Sequence, residues 1–294
     1  MATGCPGEHP TDQRLDDGGA LVFDFPVLEP EIAVLGAPHL QLQVASDAPV
    51  AQLAVRLCDV APDGQVTRVS YQLLNLTHRD SHEQPSALTP GRFYDVNVIL
   101  NACGHRFLAG HRLRLCLASA YWPTVWPAPY AATLSVRTAG SALELPVRRA
   151  GVRGTVTFPP PAHGPRTAVT LITPGRLRRV TSQDHISGLN TYVTEGEGGV
   201  FGEGVLRYDA VDVQLAHNLK RELTLCDEDP LSAQYVLTQS YEMGREGWRT
   251  RVNTRAHLRA DIRSFYLTGT LTAHLNGELV AERAWDVTIP RDLM

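Results

Sequence analysis

The segment LAVRLCDVAPDGQVTRVSYQLLNL, residues 53–76, sets the fold class of this 294-residue chain. Two runs rich in apolar and β-branched residues, 53–60 and 65–76, flank the tetrapeptide 61–64. The Asp63-Gly64 pair in that tetrapeptide tolerates the positive φ angles that a tight turn demands, so the segment predicts a β-hairpin. Only antiparallel strands can be joined by so short a turn, and the chain is therefore expected to build antiparallel sheets.

The residues on both sides of this hairpin show the same kind of pattern. In 40–44 and in 112–118, leucine or valine occupies every second position, which gives each strand one buried and one solvated face. Further strand-like runs lie at 93–100, 133–136 and 142–147. About eight short strands without an amphipathic helix predict a jelly roll or a related two-sheet sandwich over residues 21–147.

The rest of the chain divides into three segments. Residues 1–20 are polar and predict a leader or junction, while 148–176 are rich in glycine and proline and predict a linker. Beyond the linker, 248–262 alternates mostly apolar residues or threonine with charged and polar residues, and Asn276-Gly277 predicts another hairpin. The predicted fold is all-β, a jelly-roll sandwich followed by a second antiparallel β-sheet unit over 177–294.

The composition and net charge of the chain limit the compartment in which the protein is expected and the partners that it is expected to bind. A formal net charge of −4 disfavours nucleic acid as a partner, because binding phosphates needs a basic surface. No apolar run approaches the roughly 20 residues of a membrane span, and residues 1–10 have neither the basic nor the apolar part of a signal peptide. The five cysteines are scattered, several inside strand-like runs, as in a reducing compartment. We therefore expect a cytoplasmic protein without a membrane partner. The glycosylation pattern Asn75-Leu76-Thr77 is then expected to be a plain strand segment.

The sequence shows no catalytic machinery. Ser141 and Ser187 each adjoin one glycine, but neither lies in the Gly-x-Ser-x-Gly turn that presents a hydrolase nucleophile. The glycines of 195–204 stand among glutamates that would repel phosphate, so this segment predicts a flexible hairpin tip or loop. The eleven histidines do not follow zinc-site spacing. We expect no catalytic residue, no cofactor and no metal ion.

Two loops carry unusual residues. The loop 77–83 contains His78, Arg79, Asp80 and His82 and follows a strand; we expect a structural loop held by buried hydrogen bonds and an Arg79–Asp80 network, because charges near a core are usually paired. A partner contact and, less favoured, a metal site are the alternatives for it. The loop 121–127 contains Tyr121, Trp122 and Trp126 among prolines. These aromatic residues either cap the sandwich or form an interface, and the sequence favours neither.

Several of these motifs together resemble a known family. They occur in the order Asp59-Val60-Ala61-Pro62-Asp63-Gly64, His78-Arg79-Asp80-Ser81-His82, Leu88-Thr89-Pro90-Gly91 and Phe107-Leu108-Ala109-Gly110-His111-Arg112-Leu113-Arg114-Leu115. In this order they resemble the C-terminal domain of the X-Pro dipeptidyl-peptidase and cocaine esterase (CocE/NonD) hydrolases. Residues 219–294, with Trp248-Arg249-Thr250 and Ile289-Pro290-Arg291-Asp292, look like the extension of some bacterial members. Asp12-Gln13-Arg14 and Phe23-Asp24 look like the junction that leaves the preceding domain.

The resemblance implies a galactose-binding-like jelly roll that packs against an α/β-hydrolase domain. In the family that other domain carries the catalytic serine, aspartate and histidine, and none of the three maps onto this chain. Full-length members hydrolyse esters or peptides after an X-Pro pair. The leading hypothesis is therefore an accessory module that is inactive alone and whose partner is an α/β-hydrolase catalytic domain or a second copy of itself. The alternative is a stand-alone module that binds carbohydrate or another ligand; hydrolysis at an unrecognised site is disfavoured.

Overall fold

A computed structural model describes residues 12–148, 157–165, 167–199 and 201–294. Its backbone contacts divide the described chain into two compact units. The first unit comprises 12–148 together with Leu293 and Met294, and the second unit comprises 157–292. No helix in the described ranges is long and apolar enough to cross a membrane.

The first unit is an antiparallel β-sandwich, as the sequence predicts. Its elements are α1 (Arg14–Asp17), β1 (Leu21–Asp24), β2 (Ile32–Gly36), β3 (His39–Ser46), β4 (Gln52–Val60), β5 (Val66–Asn75), the 3-10 turn η1 (Leu76–His78), β6 (Tyr94–Ile99), β7 (Cys103–Phe107), β8 (Arg112–Ala118) and β9 (Leu134–Glu144). They form a four-stranded sheet β1-β8-β4-β5, a three-stranded sheet β6-β3-β9 and the pair β2-β7. Buried side chains from these sheets, such as Leu42, Leu57, Val96 and Leu115, meet in one apolar cluster around Phe107.

The hairpin on which the fold prediction rests is confirmed. Strands β4 and β5 pair from Gln52 opposite Asn75 to Val60 opposite Val66. Gly64 closes the turn with φ = 87°, a left-handed angle that an L-residue rarely adopts. Buried and exposed residues do not alternate along β4 as they would in a strand with one face in solvent, because seven successive residues after Gln52 are buried. The outer face of this strand is therefore covered as well.

The structure differs from the predicted strand pattern in two ways. The runs at 133–136 and 142–147 belong mostly to one strand, β9, whose pairing with β3 shifts register between Gln41 and Gln43. Gly140, at φ = 85°, lies in the irregular part that looked like a turn in the sequence. Strands β1, β2 and β7 were not predicted, because they are only four or five residues long.

The predictions for 1–20 and 148–176 need correction. Residues 1–11, 149–156 and 166 lie outside the described residues. Asp12 to Ala20 are not a loose leader, because α1 and its neighbours are bound to the four-stranded sheet. The predicted linker contains strand β10 (Val169–Thr173), whose run of β-branched residues and leucine outweighs the prolines nearby.

The second unit is a nine-stranded antiparallel sheet. Its strands are β10, β11 (Leu177–Asp184), β12 (Leu189–Glu197), β13 (Val205–Tyr208), β14 (Val213–Cys226), β15 (Asp229–Arg245), β16 (Trp248–Ala260), β17 (Ser264–Leu275) and β18 (Glu278–Pro290). The order is β10-β13-β14-β15-β16-β17-β18, and the β11-β12 hairpin joins β14 beside β13. The predicted Asn276-Gly277 hairpin is confirmed, with both residues at positive φ.

The alternation in β16 gives this sheet two chemically different faces. Leu258 stands opposite Tyr235 on one side and Leu267 on the other, whereas the next row contains His257 and Thr268. We call the side that carries Leu258 the apolar face and the side that carries His257 the polar face. Because directly paired residues point to the same side of a sheet, this assignment extends across all the strands.

Candidate functional site

The aromatic loop 121–126 lies against the outer side of the four-stranded sheet. The Tyr121 hydroxyl accepts a hydrogen bond from Arg68 Nη1 at 2.5 Å, and its ring stacks on Tyr71 with 6.1 Å between ring centroids. The Arg68 guanidinium also lies 4.6 Å from the Tyr71 ring centroid, a cation–π distance. Burial raises the pKa of Tyr121, although the positive charge of Arg68 opposes this shift. Arg56, which binds Asp17 of α1, is directly opposite Tyr71 in the β4–β5 register, so the loop and α1 lie on the same side of this sheet.

The two tryptophans of the loop pack on each other. Trp122 and Trp126 form an edge-to-face pair with 5.6 Å between ring centroids. The Trp126 carbonyl accepts from Gln52 Nε2 at 2.7 Å, which fixes the loop to the start of β4. Tyr121, Trp122 and Trp126 are all half-buried. Each ring therefore covers part of the unit and keeps part of its surface in solvent, and the interface remains a prediction.

The polar loop after β5 is organised by one arginine. Arg79 donates to the carbonyls of Leu76 at 3.1 Å and Ser86 at 2.9 Å, and its guanidinium lies 4.2 Å from the Tyr94 ring centroid. The Arg79 side chain is largely buried, and Asp80 contacts its Nε at 3.3 Å from an exposed position. These contacts join the loop to η1 and β6, so Arg79 serves to hold the loop in place.

The two histidines of this loop lie side by side. Nδ1 of His78 is 3.3 Å from Nδ1 of His82. Preceding them, Asn75 Nδ2 donates to the Leu293 carbonyl at 2.7 Å, so the amide of the glycosylation pattern is engaged in a hydrogen bond. Within the described ranges, no group of three or more His, Cys, Asp or Glu side chains could hold a metal ion.

A buried carboxylate connects two of the sequence motifs. Asp59 accepts from His105 Nε2 and from His111 Nδ1, each at 2.8 Å. Asp59 begins the first motif, and His111 lies in the fourth, so the two motifs are neighbours in space. Gly110 of the fourth motif also faces Pro62 of the first: a Cβ built on this glycine would lie 3.7 Å from Pro62 Cγ. The first and fourth motifs therefore contain residues that hold β4, β7 and the start of β8 together.

A second buried network attaches α1 to the four-stranded sheet. Asp17 accepts from Arg56 Nη2 at 3.0 Å, from Arg114 Nη1 at 2.7 Å and from Cys116 Sγ at 3.2 Å. Arg114 also binds Asp24 through two nitrogens, which lowers the pKa of Asp24 and raises that of Arg114. No local pattern in the sequence indicates this network, because the residues that bind Asp17 are 39 to 99 residues away from it.

Together these features describe a β-sandwich whose motif residues serve structure, with α1 and an aromatic loop side by side on one sheet. Residues 4–178, more than half of the chain, match the family model of the X-Pro dipeptidyl-peptidase C-terminal non-catalytic domain. The chain belongs to this family.

Individual similar proteins match only a part of this chain. It is 28% identical to cocaine esterase from Rhodococcus sp. (strain MB1 Bresler) over 116 residues, which are 39% of this chain and 20% of the esterase. An alpha-amino acid ester hydrolase structure matches 47% of this chain and 27% of its own at 26% identity, with a TM-score of 0.45. An aminopeptidase structure from the archaeon Thaumarchaeota archaeon covers the same shares at 24% identity, with a TM-score of 0.44. The chain thus spans between a fifth and about a quarter of these relatives.

Ser141 and Ser187, the two serines that adjoin a glycine, have structural contacts. Ser141 donates to the Arg137 carbonyl at 2.6 Å and accepts from the Gln43 backbone nitrogen at 3.4 Å, inside the irregular part of β9. Ser187 accepts from the Leu189 backbone nitrogen at 3.3 Å in the turn before β12. Neither contact is one that a catalytic base makes with a nucleophile.

The acidic glycine loop of the second unit is more compact than predicted. The amides of Gly198 and Gly199 both donate to the His217 carbonyl, at 2.6 and 2.7 Å. A Cβ on Gly204 would collide with the Thr173 carbonyl, so the backbones approach here as only glycine permits. The loop borders a cleft of about 610 Å³ on the polar face, where Lys220 lies between Glu195 and Glu222. Lys220 therefore pairs with two carboxylates at this cleft.

Proposed function

We propose that this chain serves as the C-terminal non-catalytic part of a CocE/NonD-type serine hydrolase and works with an α/β-hydrolase catalytic domain. The reaction of the complete enzyme would be hydrolysis of an ester or of a peptide after an X-Pro pair. The family match over residues 4–178 carries the proposal, because the family is defined as non-catalytic. The similarity to cocaine esterase favours an ester substrate.

The surface proposed to meet the catalytic domain is the outer side of the four-stranded sheet. It is covered by α1 and by the aromatic loop with Tyr121, Trp122 and Trp126. Leu15 on α1 is 92% exposed, which is costly for a leucine unless another surface covers it. The buried Asp17–Arg56 contact holds α1 rigidly in place, so this leucine is presented without an ordering cost.

Association of the two proteins tests this proposal. The full chain is mixed at micromolar concentration with an α/β-hydrolase domain encoded beside it, and the mixture is analysed by size-exclusion chromatography. We expect a complex, weakened at least about ten-fold by Leu15→Asp, since a charge would replace a buried apolar contact. Ile186→Asp is the matched control, because Ile186 is 99% exposed in the second unit. Separate elution of the unchanged proteins would refute the proposal, and equal weakening by both variants would refute the proposed surface.

The finer fold and the location are part of the same proposal. The two facing sheets and their shared core support a galactose-binding-like jelly roll for the first unit. Cys58, Cys103, Cys116 and Cys226 are free thiols, which supports residence in a reducing compartment such as the cytoplasm. Rapid thiol alkylation in intact cells should label reduced cysteines; finding them in disulfides would contradict this location.

A carbohydrate-binding role has no specific observation in its favour. Stacked sugar rings need open aromatic faces, whereas Tyr121 stacks on Tyr71 and Trp122 packs on Trp126. A glycan array without hits is the expected result.

A further inference from the structure

The polar face of the second unit contains a cavity near the turn between β17 and β18. The cavity has a volume of about 310 Å³. Register places Glu242 of β15 and His274 of β17 directly opposite Arg251 of β16, so these three side chains form one row on this face. Arg249 and Asn253 lie two residues before and after Arg251 on the same side of β16 and also line the cavity. All the side chains that line it are therefore polar or charged.

Arg249 is a positive group of this cavity without a counter-charge. Its backbone nitrogen donates to Asn276 Oδ1 at 2.8 Å, but its guanidinium has no ion pair or hydrogen bond with any residue in the described ranges. Gly244 stands opposite Arg249 on β15, so no side chain from that position covers the guanidinium. An arginine in this situation offers both the charge and the planar fork of donors that recognise an oxyanion.

Arg251 is held in place by its neighbours and still keeps donors for a ligand. Its Nε donates to Asn253 Oδ1 at 3.1 Å and lies 3.4 Å from Glu242 Oε1. Both contacts use the same nitrogen, and the two terminal nitrogens have no partner in the described part of the chain. The charges of Arg249, Arg251 and Glu242 sum to one net positive charge. The cavity therefore suits a monoanion, whereas a dianion would leave an excess of negative charge.

His274 is a second group in the cavity wall that lacks a partner. Its Nδ1 is enclosed by protein, and no described residue forms a hydrogen bond with this atom. An unsatisfied buried donor is unfavourable, which favours the tautomer that has its proton on Nε2. Nε2 likewise has no protein partner within the described ranges. His274 can therefore donate a hydrogen bond from Nε2 to a ligand oxygen.

We propose that this cavity binds a small polyhydroxy carboxylate, with its carboxylate on Arg249 and on the terminal nitrogens of Arg251. The volume has room for roughly ten water molecules, so the ligand is larger than acetate. The polar walls favour hydroxyl groups over an alkyl chain, because polar groups that an alkyl chain covers lose their hydrogen bonds to water. Glu242 would accept hydrogen bonds from the ligand hydroxyls. This site lies beyond residue 178, where the family match ends, and it is independent of the proposed function.

Saturation-transfer-difference NMR with the full chain and gluconate tests the ligand class. Gluconate should bind with a dissociation constant of about 1 mM or below, and no signal well above that concentration would overturn the proposal. Sorbitol lacks the carboxylate and hexanoate lacks the hydroxyl groups, so each should bind at least about ten-fold more weakly. Equal binding of sorbitol would overturn the role of the arginines, and equal binding of hexanoate would overturn the role of the polar walls. Sorbitol 6-phosphate carries a dianion; weaker binding than that of gluconate supports the carboxylate assignment, and tighter binding overturns it.

Variants of the polar face test the residues. Arg249→Gln should weaken gluconate binding about ten-fold or more, and His274→Phe, which keeps a ring but removes the donor, about three-fold or more. Arg255→Gln is the matched control, because Arg255 is exposed on the same face of β16 but does not line the cavity. Circular dichroism and thermal unfolding confirm that each variant is folded. A folded Arg249→Gln protein that binds gluconate like the unchanged chain, or equal weakening by Arg255→Gln, would overturn the proposal. Unchanged binding by His274→Phe would overturn the donor role of His274.

Discussion

Replacement of Asp17 by alanine should destabilise the first unit strongly. Asp17 and Arg56 have only 8% and 4% of their side-chain surfaces exposed, and their charged atoms are 3.0 Å apart. Removing one partner of a buried ion pair leaves an uncompensated charge, which costs about 3–5 kcal/mol. Arg56 Nη1 also donates to Gln13 Oε1 at 3.0 Å and lies 4.0 Å from Asp16 Oδ2, and the substitution removes neither of these groups. We therefore expect the lower end, a loss of about 3 kcal/mol in the free energy of unfolding.

Urea denaturation measures this loss. Trp248 and Trp285 belong to the second unit, so replacing both by phenylalanine lets fluorescence from Trp122 and Trp126 report on the first unit. With a slope of about 2 kcal/mol per M, a loss of 3 kcal/mol lowers the midpoint by about 1.5 M. Asp12→Ala is the control, because the Asp12–Arg14 pair is even shorter, at 2.6 Å, but much more exposed, and its loss should leave the midpoint nearly unchanged.

The pair of variants also shows which result would refute the reasoning. If Asp17→Ala shifts the midpoint no more than Asp12→Ala does, the attachment of α1 does not depend on burial of the charge. A double variant, Asp17→Leu with Arg56→Met, should recover most of the loss, because apolar residues can replace a buried ion pair. No recovery would indicate that the contacts of these residues with Gln13 and Arg114 dominate.

Three further predictions concern the core, the glycine loop and pH. Phe107→Ala should lower the stability of the first unit by about 3–5 kcal/mol in the same assay, because Phe107 is fully buried; a loss below about 1 kcal/mol would contradict the core assignment. Gly204→Ala should destabilise the second unit by at least about 2 kcal/mol, because Gly204 has a φ of 91° and an added Cβ would collide with the Thr173 carbonyl. Fluorescence of Trp248 and Trp285 follows this unfolding. Gly247→Ala is the control and should cost less, because Gly247 has a φ of 75° but lies in open space. Burial lowers the pKa of His217 below its ordinary 6.5, so the unfolded chain binds this proton more tightly and stability falls as pH drops through 6.5. His217→Phe, which keeps a ring on Tyr241, should make unfolding of the second unit less pH-dependent; an unchanged pH profile would show that His217 does not contribute.

The parts of the fold that depend on neighbouring residues could be predicted from the sequence. The turn at Gly64 and the turn at Asn276-Gly277 are encoded by their own dipeptides, and the alternation in β16 is visible over thirteen residues. The strands β1, β2 and β7 were missed because four or five residues contain too little of a period to detect.

The contacts that organise the candidate surfaces depend on distant residues, so they could not be predicted. Asp59 and His111 are 52 residues apart, and nothing near either residue indicates that they bind each other. The attachment of α1 through Arg56 likewise has no local pattern, and the polar residues 12–20 therefore resembled a loose leader. The polar and aromatic loops could be located by their composition, but only the structure shows which strands they contact.

Hydrolysis of p-nitrophenyl acetate tests the central claim most directly. The purified chain, an α/β-hydrolase catalytic domain and their mixture are compared at equal concentrations. We expect the chain alone to hydrolyse the ester no faster than buffer does. In the mixture, the catalytic domain should hydrolyse the ester faster, or keep its activity longer, than it does alone. Turnover by the chain that persists through repeated purification, or a mixture identical to the catalytic domain alone, would contradict the account of a non-catalytic partner.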